Sequence, residues 1–256
     1  MSNYSDFAFY YDGLTKNVDY KKRAAYFDSL IKKYCTTGGK YLVDLACGTG
    51  SLSEEFFKLG YDVLGIDYSE EMLTEAIEKK YDNGSEIQYI CQDMTNFELY
   101  GNADAIICAL DSINHLSTPE DIKKTIERAY LFTEPGGVFI FDANTVYKHR
   151  NILADNAFIF ETDKVFCAWQ NSYSEENNRV DISLDFFEKN EDGKYDRCSE
   201  DFSEIALETS VMDKYLTDAG FIIEAHFDED STDPVKEDSQ RIIFVARKPK
   251  ETLIYS

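Results

Sequence analysis

Tyr41-Leu-Val-Asp-Leu-Ala-Cys-Gly-Thr-Gly50 reads as a short apolar strand running into a glycine turn. Ser51 to Leu59 continues it as a helix, with Leu52, Phe56 and Leu59 on one face. A glycine turn between strand and helix lets a ligand approach the backbone closely. Two details narrow the ligand. A dinucleotide fingerprint carries a third glycine three residues after the second, and Ser53 stands there instead. Asp44 sits on the strand that enters the turn. A carboxylate there repels a pyrophosphate and attracts a cationic amino acid or sulfonium. Taken alone, the segment also fits an ordinary tight turn between strand and helix.

Strand and helix alternate outward from this stretch. Tyr61 to Ile66 is a second strand ending at Asp67, and Ser69 caps a helix that runs to Lys80, with Met72, Leu73 and Ile77 on its apolar side. Ile87 to Cys91 is a third strand, ending at Gln92-Asp93-Met94. Ala103 to Leu110 is a fourth, followed by Asp111. Pro119 opens a helix to Phe132, and Gly136-Gly137 leads into a fifth strand, Val138 to Phe141. The alternation predicts an α/β fold with a doubly wound, mostly parallel sheet covered on both faces. Ligands of such sheets sit beyond the carboxyl ends of the strands. Asp44, Gly48, Gly50, Asp67, Asp93 and Asp111 all fall at such ends. Asp67 is placed to accept ribose hydroxyls, and Asp93 an adenine amino hydrogen. Each acid alone reads as a solvated loop carboxylate; together they read as a nucleoside cradle.

The expected divisions are a helical cap over 1–34, the first part of the α/β core over 35–150, an inserted antiparallel β lid over 151–207, and a final helix with two strands over 208–256. In the cap, Tyr20, Ala24, Phe27, Leu30 and Ile31 recur at helical spacing. The insert carries β-rich runs at Ala157–Glu161, Val165–Tyr173, Val180–Phe187 and Tyr195–Leu207. Helix returns at Ser210–Ala219, and strands follow at Phe221–Phe227 and Arg241–Ala246.

A net charge of −23 repels phosphate backbones and anionic lipid, so neither nucleic acid nor membrane is an expected partner. The same charge also serves plain solubility. The six cysteines are scattered, with no CxxC pair and no histidines at zinc-like spacing. They read as reduced thiols in a cytoplasmic protein without a metal. The N-terminal residues lack the pattern of a signal peptide. No run approaches the ~18 apolar residues that a membrane span needs.

These pieces resemble the class I S-adenosylmethionine (SAM)-dependent methyltransferases, in the bacterial group acting on small molecules. The likeness rests on Val43-Asp-Leu-Ala-Cys-Gly-Thr-Gly50, Gly65-Ile-Asp-Tyr-Ser-Glu-Glu-Met-Leu73, Gln92-Asp-Met94, Asp111-Ser-Ile-Asn114 and Glu134-Pro-Gly-Gly137. In the insert it rests on Trp169-Gln170, Tyr173 and Tyr195-Asp-Arg197. The resemblance implies a Rossmann-like, seven-stranded sheet whose last strand is antiparallel. It implies SAM, and its product S-adenosylhomocysteine, beside Asp44, Ala46, Cys47, Gly48 and Gly50, with ribose on Asp67. Adenine would lie between Tyr68 or Met72 and the Gln92-Asp93-Met94 turn, with Leu110 and Asp111 at the fourth strand tip. Tyr11 and Tyr20 would contact the methionine half, or pack a cap helix.

Many relatives carry Glu-x-His-x-Gln-Arg in the insert. Here the matching stretch is Glu200-Asp-Phe-Ser-Glu-Ile205, with Phe202 and Ile205 at the His and Arg positions. The acceptor is therefore expected to be a small molecule with a nitrogen or oxygen nucleophile of unassigned identity. His115 and Tyr11 are the candidate bases, with Tyr10, Asp111 and His149 behind them, and His226 reads as structural. Phe166, Trp169, Tyr173, Phe186 and Phe187 are expected to roof the acceptor pocket or to form core. Monomer and homodimer both remain open. A non-catalytic SAM-binding or partner-binding protein, and an NAD-dependent oxidoreductase, are the alternative readings.

Overall fold

The computed structural model describes residues 18–162, 165–190 and 192–250. Seven strands form the central sheet: β1 (Tyr41–Leu45), β2 (Asp62–Asp67), β3 (Gln88–Cys91), β4 (Ala103–Cys108), β5 (Thr133–Asn144), β10 (Ile222–Asp228) and β11 (Arg241–Arg247). Their order is β10-β11-β5-β4-β1-β2-β3. Only β11 runs against the rest, wedged between β5 and β10. The chain builds outward from β1 through β2 to β3, then returns to lay β4 on the other flank of β1. The direction of winding thus reverses between β1 and β4, which opens a crevice beyond their carboxyl ends.

The central strands are apolar on both faces because helices cover both. On one face lie Val43, Leu45, Ile106, Cys108, Phe139, Phe141 and Phe244, packed against α4 (Pro119–Phe132) and α5 (Thr209–Ala219). The other face carries Leu42, Ala105, Ile107, Val138, Ile140 and Val245. Against it pack α1 (Tyr20–Tyr34) and α2 (Ser51–Lys58). The remaining helix, α3 (Glu70–Asn83), starts at a Ser69 cap whose hydroxyl accepts Met72 N–H, and stops at Gly84 in the left-handed region.

Four segments differ from the sequence reading. The fifth strand starts at Thr133 rather than Val138. Gly136, at φ +90°, donates its N–H to Lys248 O, so the glycine pair is absorbed as an irregularity inside the ladder instead of ending it. The fourth strand stops at Cys108, because Leu110 and Asp111 take left-handed backbone. Short helical turns, unmarked by any periodicity, occupy Ser112–His115 and Val146–Leu153.

The insert is a separate antiparallel sheet of order β6-β7-β8-β9, made of Ala157–Glu161, Val165–Ser174, Arg179–Lys189 and Tyr195–Ile205. Its pleat corrects the expected aromatic roof. Phe186, Trp169 and Tyr173 pack into one apolar cluster with Val180, Ile182 and Leu184. Phe166 and Phe187 pair with each other in the neighbouring register, on the opposite face. The five rings therefore cannot line one pocket. The end of β9 joins the main sheet, where Ile205 is buried and its carbonyl accepts Asn114 Nδ2 at 2.8 Å. All six cysteines are free thiols. Among the described residues, no helix is long and apolar enough to cross a membrane.

Phe141 lies between Phe139 and Phe244, with ring centroids 4.8 and 4.7 Å away. Phe141→Ala should lower unfolding free energy by about 3–5 kcal/mol. Urea denaturation is the check, and a loss well under 1 kcal/mol would mean that this aromatic layer does not carry the core.

Candidate active site

The crevice beyond β1 and β4 is built from strained backbone. Ala46 after β1, and Leu110 and Asp111 after β4, hold φ of 60°, 60° and 53°. Each costs roughly 1–3 kcal/mol in a residue with a Cβ, and such positions cluster where a ligand is clamped. Gly48 and Gly50 also have positive φ, but for different reasons. A Cβ on Gly50 would collide with the Tyr89 ring, whereas one on Gly48 would meet no described residue within 4 Å. Gly50 thus serves packing, and Gly48 leaves open room in front of the turn. Tyr20, Asp44, Ala46, Cys47, Gly48 and Leu110 line this one cleft.

Two acids flank the turn. Asp44 is 2% exposed and accepts Ser53 Oγ at 2.5 Å. Burial pushes its carboxyl up to about 7, with Ser53 opposing and Asp67 reinforcing the rise. Ser53, where a dinucleotide site has its third glycine, is thus the hydrogen-bond partner of the acid. Asp67 accepts Gly48 N–H at 2.7 Å on one oxygen and Ser69 N–H at 2.9 Å on the other. It ties the glycine turn to the start of α3, and each oxygen keeps a second acceptor direction. Burial raises its carboxyl as well, against those same hydrogen bonds. The Cys47 thiol is raised far up by burial, then by Asp44 and Asp67, so it stays neutral.

At the next tips, Tyr68 is exposed and Met72 is buried in the first turn of α3. Asp93 accepts Thr95 N–H at 2.8 Å and Met94 packs partly into the core. Both ends of the Gln92 amide engage the Glu98 backbone, so Gln92 braces the turn. Tyr11, with Tyr10, lies outside the described residues.

A second polar cluster sits beyond β4 and β5. Asp142 is fully buried and accepts the N–H groups of Leu110 and Asp111 at 2.7 and 2.9 Å. It pairs with Arg241 and, at 3.4 Å, with Arg23 of α1. Arg241 also holds Asp111 at 2.7 Å. Burial opposes the ionised Asp111, but Arg241, Lys148 and His115 together hold its carboxyl far below the usual range. Asn144 donates to both Asp111 and Glu204 at 2.8 Å. His115 is exposed, packs with its ring tilted by 33° against Phe202 at 5.2 Å and faces Glu204 at 3.9 Å. Ligand atoms of Asp111, His115 and Glu204 fall within 4.8 Å of one another, with Arg241 and Lys148 supplying countercharge. His226 is elsewhere, 2.8 Å from Asp213.

The sequence reading missed Asp142, Arg241, Asn144 and Glu204. Asp142 carried the same signal as Asp44 and Asp67, an acid ending an apolar strand. Glu204 stood inside the quoted insert motif, where the Gln position of relatives holds an acid. Arg241 gave no signal, since its partner is 99 residues away. A second cavity of about 220 Å³ opens behind Asn114 and Asn144, and none of Asp44, Asp67, Asp93 or Asp111 reaches its walls.

The structure is thus an open parallel sheet with one reversed strand, a glycine turn at its switch point and acids on the tips of β1 and β2. A family model described as "Methyltransferase domain" matches residues 42–137. The chain is 31% identical over 246 residues to a Geobacillus sp. (strain WCH70) protein, spanning 96% of this chain and 99% of the relative. It is 30% identical over 251 residues to YqeM of Bacillus subtilis (strain 168), spanning 96% and 98%. Both relatives are named as methyltransferases without a stated acceptor. The crystal structure of an S-adenosylmethionine-dependent methyltransferase from Clostridium acetobutylicum ATCC 824 superposes with a TM-score of 0.86 at 31% identity, covering 96% of this chain and 99% of that one. The chain belongs to the class I SAM-dependent methyltransferases.

The Asp44 carboxyl rises on folding, from 3.8 to about 7. An acid shifted this way stabilises fully below its unfolded value and loses that contribution as pH rises through the folded one. Asp44→Asn removes the penalty, so the ligand-free variant should be more stable than wild type at mildly alkaline pH, by on the order of 3 kcal/mol. The gap should close on acidification. Thermal melts across pH test this, and a variant less stable at every pH would refute the burial argument.

Proposed function

We propose that this chain transfers the methyl group of SAM to a nitrogen or oxygen nucleophile on a small molecule, releasing S-adenosylhomocysteine. The observation that carries the reading is the pair of acids, buried Asp44 and half-buried Asp67, on either side of Gly48. An acid as buried as Asp44 gains most when a cation settles beside it. The residues therefore fit an adenosyl sulfonium with its ammonium group. Asp67 has acceptor directions left for ribose hydroxyls, and Asp93, Met72 and Met94 would flank the adenine. Ala46, Cys47, Gly50, Tyr68, Gln92, Leu110 and Asp111 shape or brace the same cleft, and Tyr11 and Tyr20 would cover the methionine half.

SAM, when bound, supplies a methyl carbon on a good leaving group, displaced in line as the acceptor lone pair forms its new bond. The protein mainly aligns the partners. Asp44 and Asp67 favour a cation that is already dispersing in the transition state, so they act on affinity more than on rate. His115 is the proposed base, taking the acceptor proton, and Asp111 and Glu204 beside it stabilise the imidazolium. A nitrogen acceptor has some support from similarity: the chain is 32% identical over 129 residues, 50% of its length, to the dTDP-3-amino-3,4,6-trideoxy-alpha-D-glucopyranose N,N-dimethyltransferase of Streptomyces venezuelae. The acidic surface and free thiols fit a cytoplasmic enzyme that acts on neither nucleic acid nor membrane.

Calorimetry should find micromolar binding of S-adenosylhomocysteine, abolished in Asp67→Ala, weakened in Asp44→Asn and retained in His115→Gln. No heat with folded wild-type protein would reject the site. Release of S-adenosylhomocysteine over a panel of small amines and hydroxy compounds tests the reaction. His115→Gln should slow it by roughly 10²–10⁴-fold. Binding without turnover on any acceptor would favour a non-catalytic SAM-binding protein.

A further inference from the structure

Glu204 lies near the end of β9, where the insert meets the parallel sheet, and its side chain is 6% exposed. Its Oε2 accepts Asn144 Nδ2 at 2.8 Å and faces His149 Nε2 at 3.4 Å. Its Oε1 faces His115 Nε2 at 3.9 Å. His149 is fully buried at the start of the His149–Leu153 turn, with Nδ1 2.8 Å from the carbonyl oxygen of Asn178. A carbonyl only accepts, so Nδ1 carries a hydrogen. Nε2 then has no hydrogen-bond partner among the described residues, although a carboxylate stands directly before it. A bare nitrogen lone pair turned toward a buried carboxylate is costly on both atoms. A proton between them removes the cost.

We propose that Glu204, ion-paired with a protonated His149, is the positioning residue for His115. The proposal rests on the reading of His115 as the base. Glu204 draws the Nε2 hydrogen of neutral His115 toward itself and leaves Nδ1, with its lone pair, for the acceptor. The Phe202 ring, tilted against the imidazole at 5.2 Å, limits its rotation. During transfer the acceptor proton moves to His115 Nδ1, while the electron pair of the breaking carbon–sulfur bond goes to sulfur. The imidazolium so formed lies beside a carboxylate kept ionised from behind by His149.

The surrounding charges are compatible. Burial pushes the Glu204 carboxyl up and Asp111 adds to this, but His149 close before it and His115 beside it bring it below its ordinary range. Lys148, of the turn after β5, also faces Glu204. His115 is faced in addition by Asp67 from β2 and Asp111 from the β4 tip. Arg241 of β11 and Asp142 of β5 lie one step further, joined through Asp111. Among the described residues, Glu204 is thus the carboxylate that lies within 4 Å of both histidines.

The test needs no acceptor. The chain has three histidines, so ¹⁵N-histidine labelling of the full-length protein bound to S-adenosylhomocysteine gives a readable imidazole spectrum. His115→Gln and His226→Gln provide the assignments. Near neutral pH, His149 should carry hydrogens on both nitrogens. In Glu204→Gln it should fall to the neutral form with hydrogen on Nδ1 alone, and neutral His115 should lose its preference for hydrogen on Nε2. An unchanged His115 tautomer in a folded Glu204→Gln overturns the proposal. So does a wild-type His149 with a bare Nε2 near neutral pH, which decides the matter even if the variant does not fold. Undiminished turnover in His115→Gln would instead sink the base reading, and leave these spectra standing as a separate result.

Discussion

A fully buried carboxylate, Asp142, is the constraint on which the rest of the site depends. A charge in that position must be met on every side. Two backbone N–H groups from the β4 tip, Arg241 from β11 and Arg23 from α1 meet it. Satisfying one acid therefore draws together the fourth, fifth and last strands with the capping helix. The left-handed backbone at Leu110 and Asp111 follows from the same demand, because it turns both N–H groups toward Asp142. The crevice wall is thus held by electrostatics where the sheet ladder stops.

The two halves of the site treat charge in opposite ways. On the side proposed for the nucleoside, buried Asp44 and half-buried Asp67 form no ion pair with a lysine or arginine among the described residues, and their carboxyls rise accordingly. That half is incomplete in charge until a cation arrives. On the acceptor side, Asp111, Asp142 and Glu204 are matched by Arg241, Arg23, Lys148 and histidines, and Asp111 and Glu204 are held below the usual range. That half is neutralised before any ligand binds, which suits a surface that must orient a substrate without trapping it.

The sheet and the acids at its strand tips were legible in the sequence because both are local. Each strand is a short apolar run, and each of these acids ends one, so period and position sufficed. The insert's four strands were legible for the same reason, as β-rich runs. The acceptor half was not legible, because its partners come from distant segments. Arg241 meets Asp142 across 99 residues, and Asn144 meets Glu204 across 60. Phe202 and Ile205 read as losses of function-bearing residues. In the structure Phe202 packs against His115 and Ile205 fills core. The roof of aromatics failed because composition names the rings and only strand register says which face each takes.

The reversed strand between β5 and β10 has a consequence for biosynthesis. Arg241 is its first residue, so Asp142 emerges from the ribosome 99 residues ahead of its principal countercharge. At about 5–20 residues per second, that gap lasts roughly 5–20 seconds. Throughout it a nascent chain holds β1 to β5 without the arginine that lets Asp142 be buried as an anion. The crevice is therefore among the last parts to close, and a chain released before residue 241 would carry the whole glycine turn yet be unable to shut the wall opposite it.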